Sequence, residues 1–317
     1  MKKSLLLALV LCILIFQGCE LFLGEEPLGS IHAIYVGLNY HGTGVRHLKG
    51  TLNDAQELQE CLAGLSTRHH RGYESYSLLQ RGGVLSSDYD DPKTASSLPT
   101  KSNVLQHIRA LDQILTENDL TIFSYSGHGY DDGSLVLASP NLDGKILFDE
   151  NYKPQDEEVL LSVTELLTAL SELPGKQLLI LDSCYCGSFV EESGSSVNLI
   201  EKSRFLDEAF TLYFSSAEYK PSLFVLAATT SDNTSKEPAN TAHSHGFFTS
   251  ALLEGLGWDN ENKSLFSRAP AMKKGVLTID SLYAYVLENQ DFPTKGIYPS
   301  QYQHPTISGG AYTLRLF

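Results

Sequence analysis

The run Gln177-Leu178-Leu179-Ile180-Leu181 is apolar on consecutive positions and turns polar at Asp182-Ser183-Cys184-Tyr185-Cys186-Gly187. Side chains of a strand alternate between the two faces of its sheet. A strand apolar at four successive positions therefore needs cover on both faces, as in a parallel sheet packed between helices. Asp119 to Tyr125 (Asp-Leu-Thr-Ile-Phe-Ser-Tyr) has the same design and closes on Ser126-Gly127-His128-Gly129. Reactive groups in such sheets collect beyond the carboxyl ends of the strands, so Cys184 and His128 are expected to share one crevice. A thiol needs a base or cation beside it to be a nucleophile at neutral pH, because the thiolate is the reactive form. Histidine titrates in the right range to serve.

The rest of the chain alternates strand and helix patterns. Ile31 to Leu38 reads as the first strand, followed by a glycine-bearing loop, Asn39 to Thr51, and a helix from Asn53 to about Leu65. Gly42-Thr43-Gly44 resembles the start of a dinucleotide-binding loop, but His47 holds the third glycine position and no helix begins there, so that fingerprint fails. Glu74 to Gln80 reads as a strand, and Ser102 as the cap of a helix carrying Val104, Leu105, Ile108, Leu111, Ile114 and Leu115. Ser134 to Ala138 and Lys145 to Phe148, split by Asn141-Leu142-Asp143-Gly144, read as a hairpin. Ser162 and Glu165 form a capping box for a helix to about Leu173. Leu223 to Thr229 reads as a buried strand, Phe247 to Leu256 and Ile279 to Glu288 as helices, and Tyr312 to Phe317 as an edge strand. This alternation predicts an α/β fold, an α/β/α sandwich with a mostly parallel central sheet.

The formal net charge is −15, with 23 basic and 38 acidic residues. An acidic surface argues against nucleic acid and anionic lipid as partners and is compatible with basic peptides. Lys2 and Lys3 precede an apolar run from Leu5 to Phe16, too short to span a membrane comfortably, and Phe16-Gln17-Gly18-Cys19 follows. These four residues resemble the lipobox of bacterial lipoproteins, although Phe16 stands where Leu is usual. The resemblance implies a signal peptide over residues 1–18, lipid on Cys19, a tether over 19–30, export and membrane attachment. An ordinary signal peptide is the alternative. With Cys12 removed and Cys19 lipidated, Cys61, Cys184 and Cys186 remain, too few for a disulfide framework. Cys61 falls on the stripe Ala55, Leu58, Cys61, Leu62, Leu65 and reads as core. Cys184 and Cys186 lack both the further ligands of a zinc site and the spacing of a redox pair.

Tyr125-Ser126-Gly127-His128-Gly129 and Asp182-Ser183-Cys184 resemble the histidine and cysteine motifs of the metacaspases and related caspase-like cysteine peptidases. Gly50-Thr51-Leu52-Asn53-Asp54-Ala55 and the stretch from His245-Gly246-Phe247-Phe248 to Leu253 extend the resemblance. It implies a caspase-like peptidase domain over 31–317, with a large segment over about 31–190, a linker over about 191–221 and a small segment over about 222–317. Cys184 would be the nucleophile, His128 the base and acid, and the backbone amides of Gly129 and Cys184 the oxyanion hole. Asp54, Ser126 and Asp182 would line the first specificity pocket and favour protein substrates with Arg or Lys before the cut bond. Two carboxylates in a small pocket are costly unless a cation is bound, which agrees with that preference. Asn53-Asp54 as a helix cap and Asp182 as a turn anchor are the structural alternatives.

Thr51 stands where metacaspases often have Cys, and Cys186 where Ser is common, adding a thiol that is expected to be able to oxidise onto Cys184. Many metacaspases need calcium, for which Asp131, Asp132, Asp143, Asp149 and Glu150 are available, none matched individually; no other cofactor is required. Lys202, Arg204 and Lys220 in the linker are sites where a basic-specific enzyme would process itself. The alternative function is a noncatalytic surface lipoprotein that keeps the fold as a binding scaffold.

Overall fold

The computed structural model of the chain describes residues 28–80, 96–140, 142, 145–150, 153–186, 188, 222–238, 245–308 and 314–317. The leader, Cys19, most of the tether, the loop with Asp88 to Asp91, Asp143, and the linker with Lys202, Arg204 and Lys220 lie outside the described residues.

In chain order the elements are β1 (Ile31–Leu38), α1 (Thr51–Arg68), β2 (Tyr73–Gln80), α2 (Lys101–Leu111), β3 (Leu120–Ser126), β4 (Leu135–Val136), β5 (Leu160–Leu161), α3 (Val163–Ser171), β6 (Lys176–Asp182), β7 (Leu223–Ala227), α4 (Phe247–Leu256), β8 (Trp258–Asp259), β9 (Ser264–Leu265), α5 (Ile279–Asn289) and β10 (Thr306–Ile307). Six of the strands form one sheet in the order β10-β7-β6-β3-β1-β2, parallel except for antiparallel β10. β1 and β3 are buried at every position and β6 at every position after Lys176. Such burial requires cover on both faces, which α1, α4 and α5, packed together, and the pair α2 and α3 provide. Each buried Leu or Ile of β6 contributes about 2 kcal/mol of apolar burial, which holds this strand at the sheet's centre.

The strand order explains where a site can form. From β1 the chain goes outward to β2, then returns to the other side of β1 and continues through β3, β6 and β7. This reversal opens a crevice at the carboxyl ends of β1 and β3, beside which β6 and β7 also end.

Four local expectations are corrected. The hairpin over 134–148 does not form: β4 pairs with β5, Leu135 opposite Leu161, while the stretch after Lys145 is tied to the β1 loop through the Ile146 amide and Thr43 carbonyl. Leu135, Val159 and Leu161 are buried and Leu147 is exposed, so burial selects the more distant partner. Beyond β7 the sheet ends on β10; of the edge strand expected over Tyr312 to Phe317, the described residues Leu316 and Phe317 hydrogen-bond instead to Leu277 ahead of α5. Thr100, not Ser102, caps α2, accepting from the Asn103 amide, and the helix stops at Leu111 before Ile114 and Leu115. Gly50 occupies the N-cap position of α1, so Asn53 and Asp54 lie inside the helix and do not cap it.

Candidate active site

The loops after β1, β3, β6 and β7, with Gly246 at the start of α4, enclose a cleft of about 290 Å³. His128, Cys184, Asp54, Ser126 and Asp182 all line it. Ser126 at the end of β3 is in register with Asp182 at the end of β6, so the two chains leave the sheet side by side. Beyond that point their backbones touch. A Cβ on Gly129 would lie 1.9 Å from the Cys184 carbonyl oxygen, so no other residue fits without moving one loop. Gly129 also bridges to Leu135, through the His128 carbonyl and the Tyr130 amide on either side of it. Its own N–H is left outside that ladder.

His128 is held by uncharged partners. Its Nε2–H donates to the Arg46 carbonyl at 2.7 Å, which leaves Nδ1 as the unprotonated nitrogen of the neutral ring. The ring packs on Tyr40 at 4.5 Å. The His128 amide donates to the Tyr40 hydroxyl at 2.8 Å and the His128 carbonyl accepts from the Tyr125 hydroxyl at 2.7 Å. Burial lowers the His128 pKa, and the Arg46 charge adds to this against the Arg46 carbonyl bond and Glu237. Burial also raises the pKa of Cys184, opposed by a backbone bond from Ser235 and by the charge of Lys236. At neutral pH the two groups are therefore a thiol and a neutral imidazole lining one cleft.

The opposite wall is ionic. Asp54 Oδ2 accepts from the Ser126 hydroxyl at 2.6 Å, and Oδ1 accepts from His245 Nδ1 at 2.9 Å and from the Gly246 amide at 3.3 Å. Asp182 Oδ1 accepts from the Ser235 hydroxyl at 2.5 Å, and Oδ2 from the Thr249 hydroxyl at 2.7 Å and amide at 3.3 Å. Thr249 belongs to the first turn of α4, so Asp182 also sits at a helix N-terminus, where negative charge is favoured. A Cβ on Gly246 would lie 2.3 Å from Asp182 Oδ2; glycine there lets α4 approach the carboxylate. Burial first, then the charge of Asp54, push Asp182 up to about 7. Burial pushes Asp54 up too, against the hydrogen bonds and charge of His245.

A family model described as metacaspase, peptidase C14 domain, matches residues 32–193, just over half of the chain. The chain belongs to the metacaspase family. Among curated relatives, metacaspase-1 of Candida albicans is 30% identical over 168 residues, covering 51% of this chain and 34% of that protein. Metacaspase-1 of Yarrowia lipolytica is 29% identical over 172 residues, covering 51% and 32%, and metacaspase-2 of Trypanosoma brucei brucei is 27% identical over 172 residues, covering 52% and 44%. The match thus spans a third to under half of the length of these relatives. The mostly parallel sheet between helices is consistent with the caspase-like fold.

In this metacaspase several contributors to the cleft carry no role in the sequence reading. Arg46 offers a backbone carbonyl, which any residue type has, so nothing in its side chain marks it. Glu237 accepts from the Lys49 and Gly50 amides at 3.0 Å each and ties the β7 loop to the β1 loop across a long stretch of chain. Glu57 follows Asp54 by three residues on α1, a spacing that puts both on one face and that flags the pair in retrospect. Thr51 lines the cleft with its hydroxyl donated to the Leu38 carbonyl at 2.6 Å. Cys186 departs from expectation: it is fully buried, 3.3 Å from the Thr229 hydroxyl and 3.5 Å from the Leu181 carbonyl, and is not among the residues lining the cleft. Its thiol is packed in the core. Cys61 is buried in the core as its stripe predicts. Among the described residues no three His, Cys, Asp or Glu side chains are grouped to hold a metal ion, and Asp143, one of the five acidic residues available for calcium, lies outside them.

Proposed function

We propose that this chain is a cysteine endopeptidase that cuts peptide bonds after Arg or Lys, with Cys184 as nucleophile and His128 as general base and then general acid. The observation that carries this reading is the meeting of a neutral thiol, an imidazole with a fixed tautomer and two buried carboxylates in one cleft. His128 Nδ1 takes the proton of the Cys184 thiol as the sulfur attacks the scissile carbonyl carbon. The carbonyl π electrons move to oxygen, and the amides of Gly129 and Cys184 receive that charge, each donor being worth roughly 3 kcal/mol in such sites. The imidazolium then gives its proton to the leaving amine, and the C–N bond breaks to leave a thioester. Water, deprotonated by the same nitrogen, releases the acid and returns the thiol. Asp54, Ser126 and Asp182 form the acidic pocket that takes the basic side chain.

The test is cleavage of matched peptide reporters bearing Arg, Lys or Asp before the scissile bond, under reducing conditions, with and without calcium. Activity on the basic reporters alone, abolished by Cys184→Ala, is expected. Activity on the Asp reporter would overturn the pocket assignment, and silence from a folded sample in every condition would favour the scaffold reading. The sequence of residues 1–19 supports export with lipid on Cys19, which incorporation of labelled fatty acid into wild type and not into Cys19→Ala would establish.

A further inference from the structure

A chain of charge, buried at Asp54, His245 and Glu57 and exposed at Lys263, runs behind the acidic wall. His245 is 4% exposed and joins the segment ahead of α4 to α1. Its Nδ1 stands 2.9 Å from Asp54 Oδ1 and its Nε2 3.2 Å from Glu57 Oε2. A neutral imidazole has one N–H and one lone pair, so it would turn that lone pair on a carboxylate; an imidazolium donates to both. Burial opposes the charge, but the bonds to Asp54 and Glu57 and their charges win and raise His245 to about 9. Glu57 has its own cation, Lys263, with Nζ 2.7 Å from Oε1, and also accepts from the Trp258 ring N–H at 2.7 Å. Burial works against the ionised Glu57, yet these partners hold it at about 2. Lys263 answers Glu57, so the charge of His245 answers Asp54. Asp182, across Gly246 from this chain, accepts among the described residues from the neutral donors Ser235 and Thr249.

We infer that His245 is a specificity-setting residue of the cleft: as an imidazolium it anchors Asp54 and cancels its charge, leaving Asp182 as the carboxylate whose charge the substrate's basic side chain meets. This rests on the basic-residue reading above and deepens it. The groups that set the state of His245 are Asp54 and Glu57 on α1, with Lys263 between β8 and β9 acting through Glu57. With all of them ionised, His245 offsets Asp54 and Lys263 offsets Glu57. Of this set the charge of Asp182 is the one left to meet one guanidinium or ammonium, in a cleft that Arg46, Lys236 and Glu237 also line.

The inference makes an unusual demand on paired substitutions. In Asp54→Asn the imidazolium loses the charge it cancels and stands against the incoming cation. Removing it as well restores the balance. The experiment uses the full chain carrying Cys184→Ala, so nothing is turned over, and benzamidinium as the probe, titrated by calorimetry at pH 7. Asp54→Asn is expected to weaken binding about tenfold or more, and Asp54→Asn with His245→Gln to recover it to within about threefold of the parent. A residue that merely ties α1 to α4 would make the double variant as weak as Asp54→Asn, or weaker, and that result would overturn the inference. Nitrogen NMR of the parent protein is the second arm and needs no folded variant at position 245. Both His245 ring nitrogens are expected to be protonated at pH 7, whereas a neutral ring would overturn the inference even if Arg and Lys reporters are cut. A parent that binds no benzamidinium would bring down both the basic-residue reading and the inference, whereas binding without rescue removes the inference alone.

Discussion

The two walls of the cleft hold their groups in opposite ways. On the dyad wall the partners are backbone and hydroxyl groups: the Arg46 carbonyl, the hydroxyls of Tyr40 and Tyr125, and the close approach of Gly129 to the Cys184 carbonyl. On the pocket wall the partners include charges: Asp54 against His245, Glu57 against His245 and Lys263. The difference follows from what each wall does in the proposed reaction. Cys184 and His128 exchange a proton in every cycle; Arg46 and Glu237 act on His128 in opposite directions, and Lys236 opposes the effect of burial on Cys184. Asp54 and Glu57 take no part in that exchange, and their buried charge has a permanent answer in His245 and Lys263.

The comparison breaks most visibly where the dyad wall is cut. Cys184→Ala is expected to lower turnover of Arg reporters by at least about 10⁴-fold while benzamidinium binds as before. A loss of probe binding in that variant would mean the walls are not independent. Gly129→Ala is the next largest change. Its Cβ would overlap the Cys184 carbonyl oxygen, so one loop must move and the proposed oxyanion donors lose their aim. The expected loss is about 10²- to 10³-fold in kcat, with probe affinity again within about threefold.

Cutting the pocket wall should do the reverse. Asp182→Asn keeps the hydrogen-bonding shape toward Ser235 and Thr249 but removes the charge. It is expected to raise KM for Arg and Lys reporters by about 10- to 100-fold with kcat changed less than about threefold. The pH profile sharpens the same contrast. Asp182, raised to about 7, must be ionised to meet a cation, so kcat/KM on basic reporters falls as pH drops below about 7. His128 is lowered from its ordinary value by burial, so its protonation limits kcat only at more acid pH. Two separated acid limbs are expected in wild type, and Asp182→Asn should lose the one near 7. A single shared limb would show that one group controls both walls.

How much of this was legible in the sequence depends on what kind of group does the work. Consecutive apolar residues marked β3 and β6, and helix spacing placed α4 over Phe247–Leu256 as observed. The five side chains named for the site line one cleft because each stands at or just after a strand end or in the first turns of a helix, places that local pattern reveals. The Arg46 carbonyl escaped because backbone has no sequence signature. Glu57 escaped because a Glu three residues past Asp54 looks like a solvated helix face until His245, distant in sequence, is packed against it. The absent hairpin after Ser134 failed for a related reason: turn residues announce a reversal, but burial of Leu161 decided which strand β4 would pair with.

The smallest expected effect concerns the two thiols of one loop. Cys184 and Cys186 leave the same strand, yet Cys184 faces the cleft and Cys186 lies in the core against Leu181 and Thr229. Burial raises the pKa of both, but only Cys184 has a base able to take its proton within the same cleft. Cys186→Ala removes one buried sulfur from beside the dyad wall and touches neither wall's polar partners. It should cost about 1 kcal/mol of stability, read as a shift in the denaturation midpoint, with kcat and KM within about twofold of wild type. The informative measurement is inactivation by hydrogen peroxide. If the sheet holds Cys186 in the core during the working life of the protein, wild type and Cys186→Ala lose activity at the same rate and thiols restore both to the same degree. Faster loss in Cys186→Ala, or thiol recovery confined to wild type, would mean that the loop after β6 opens far enough to bring Cys186 to Cys184, and that the dyad wall is less fixed than its backbone contacts imply.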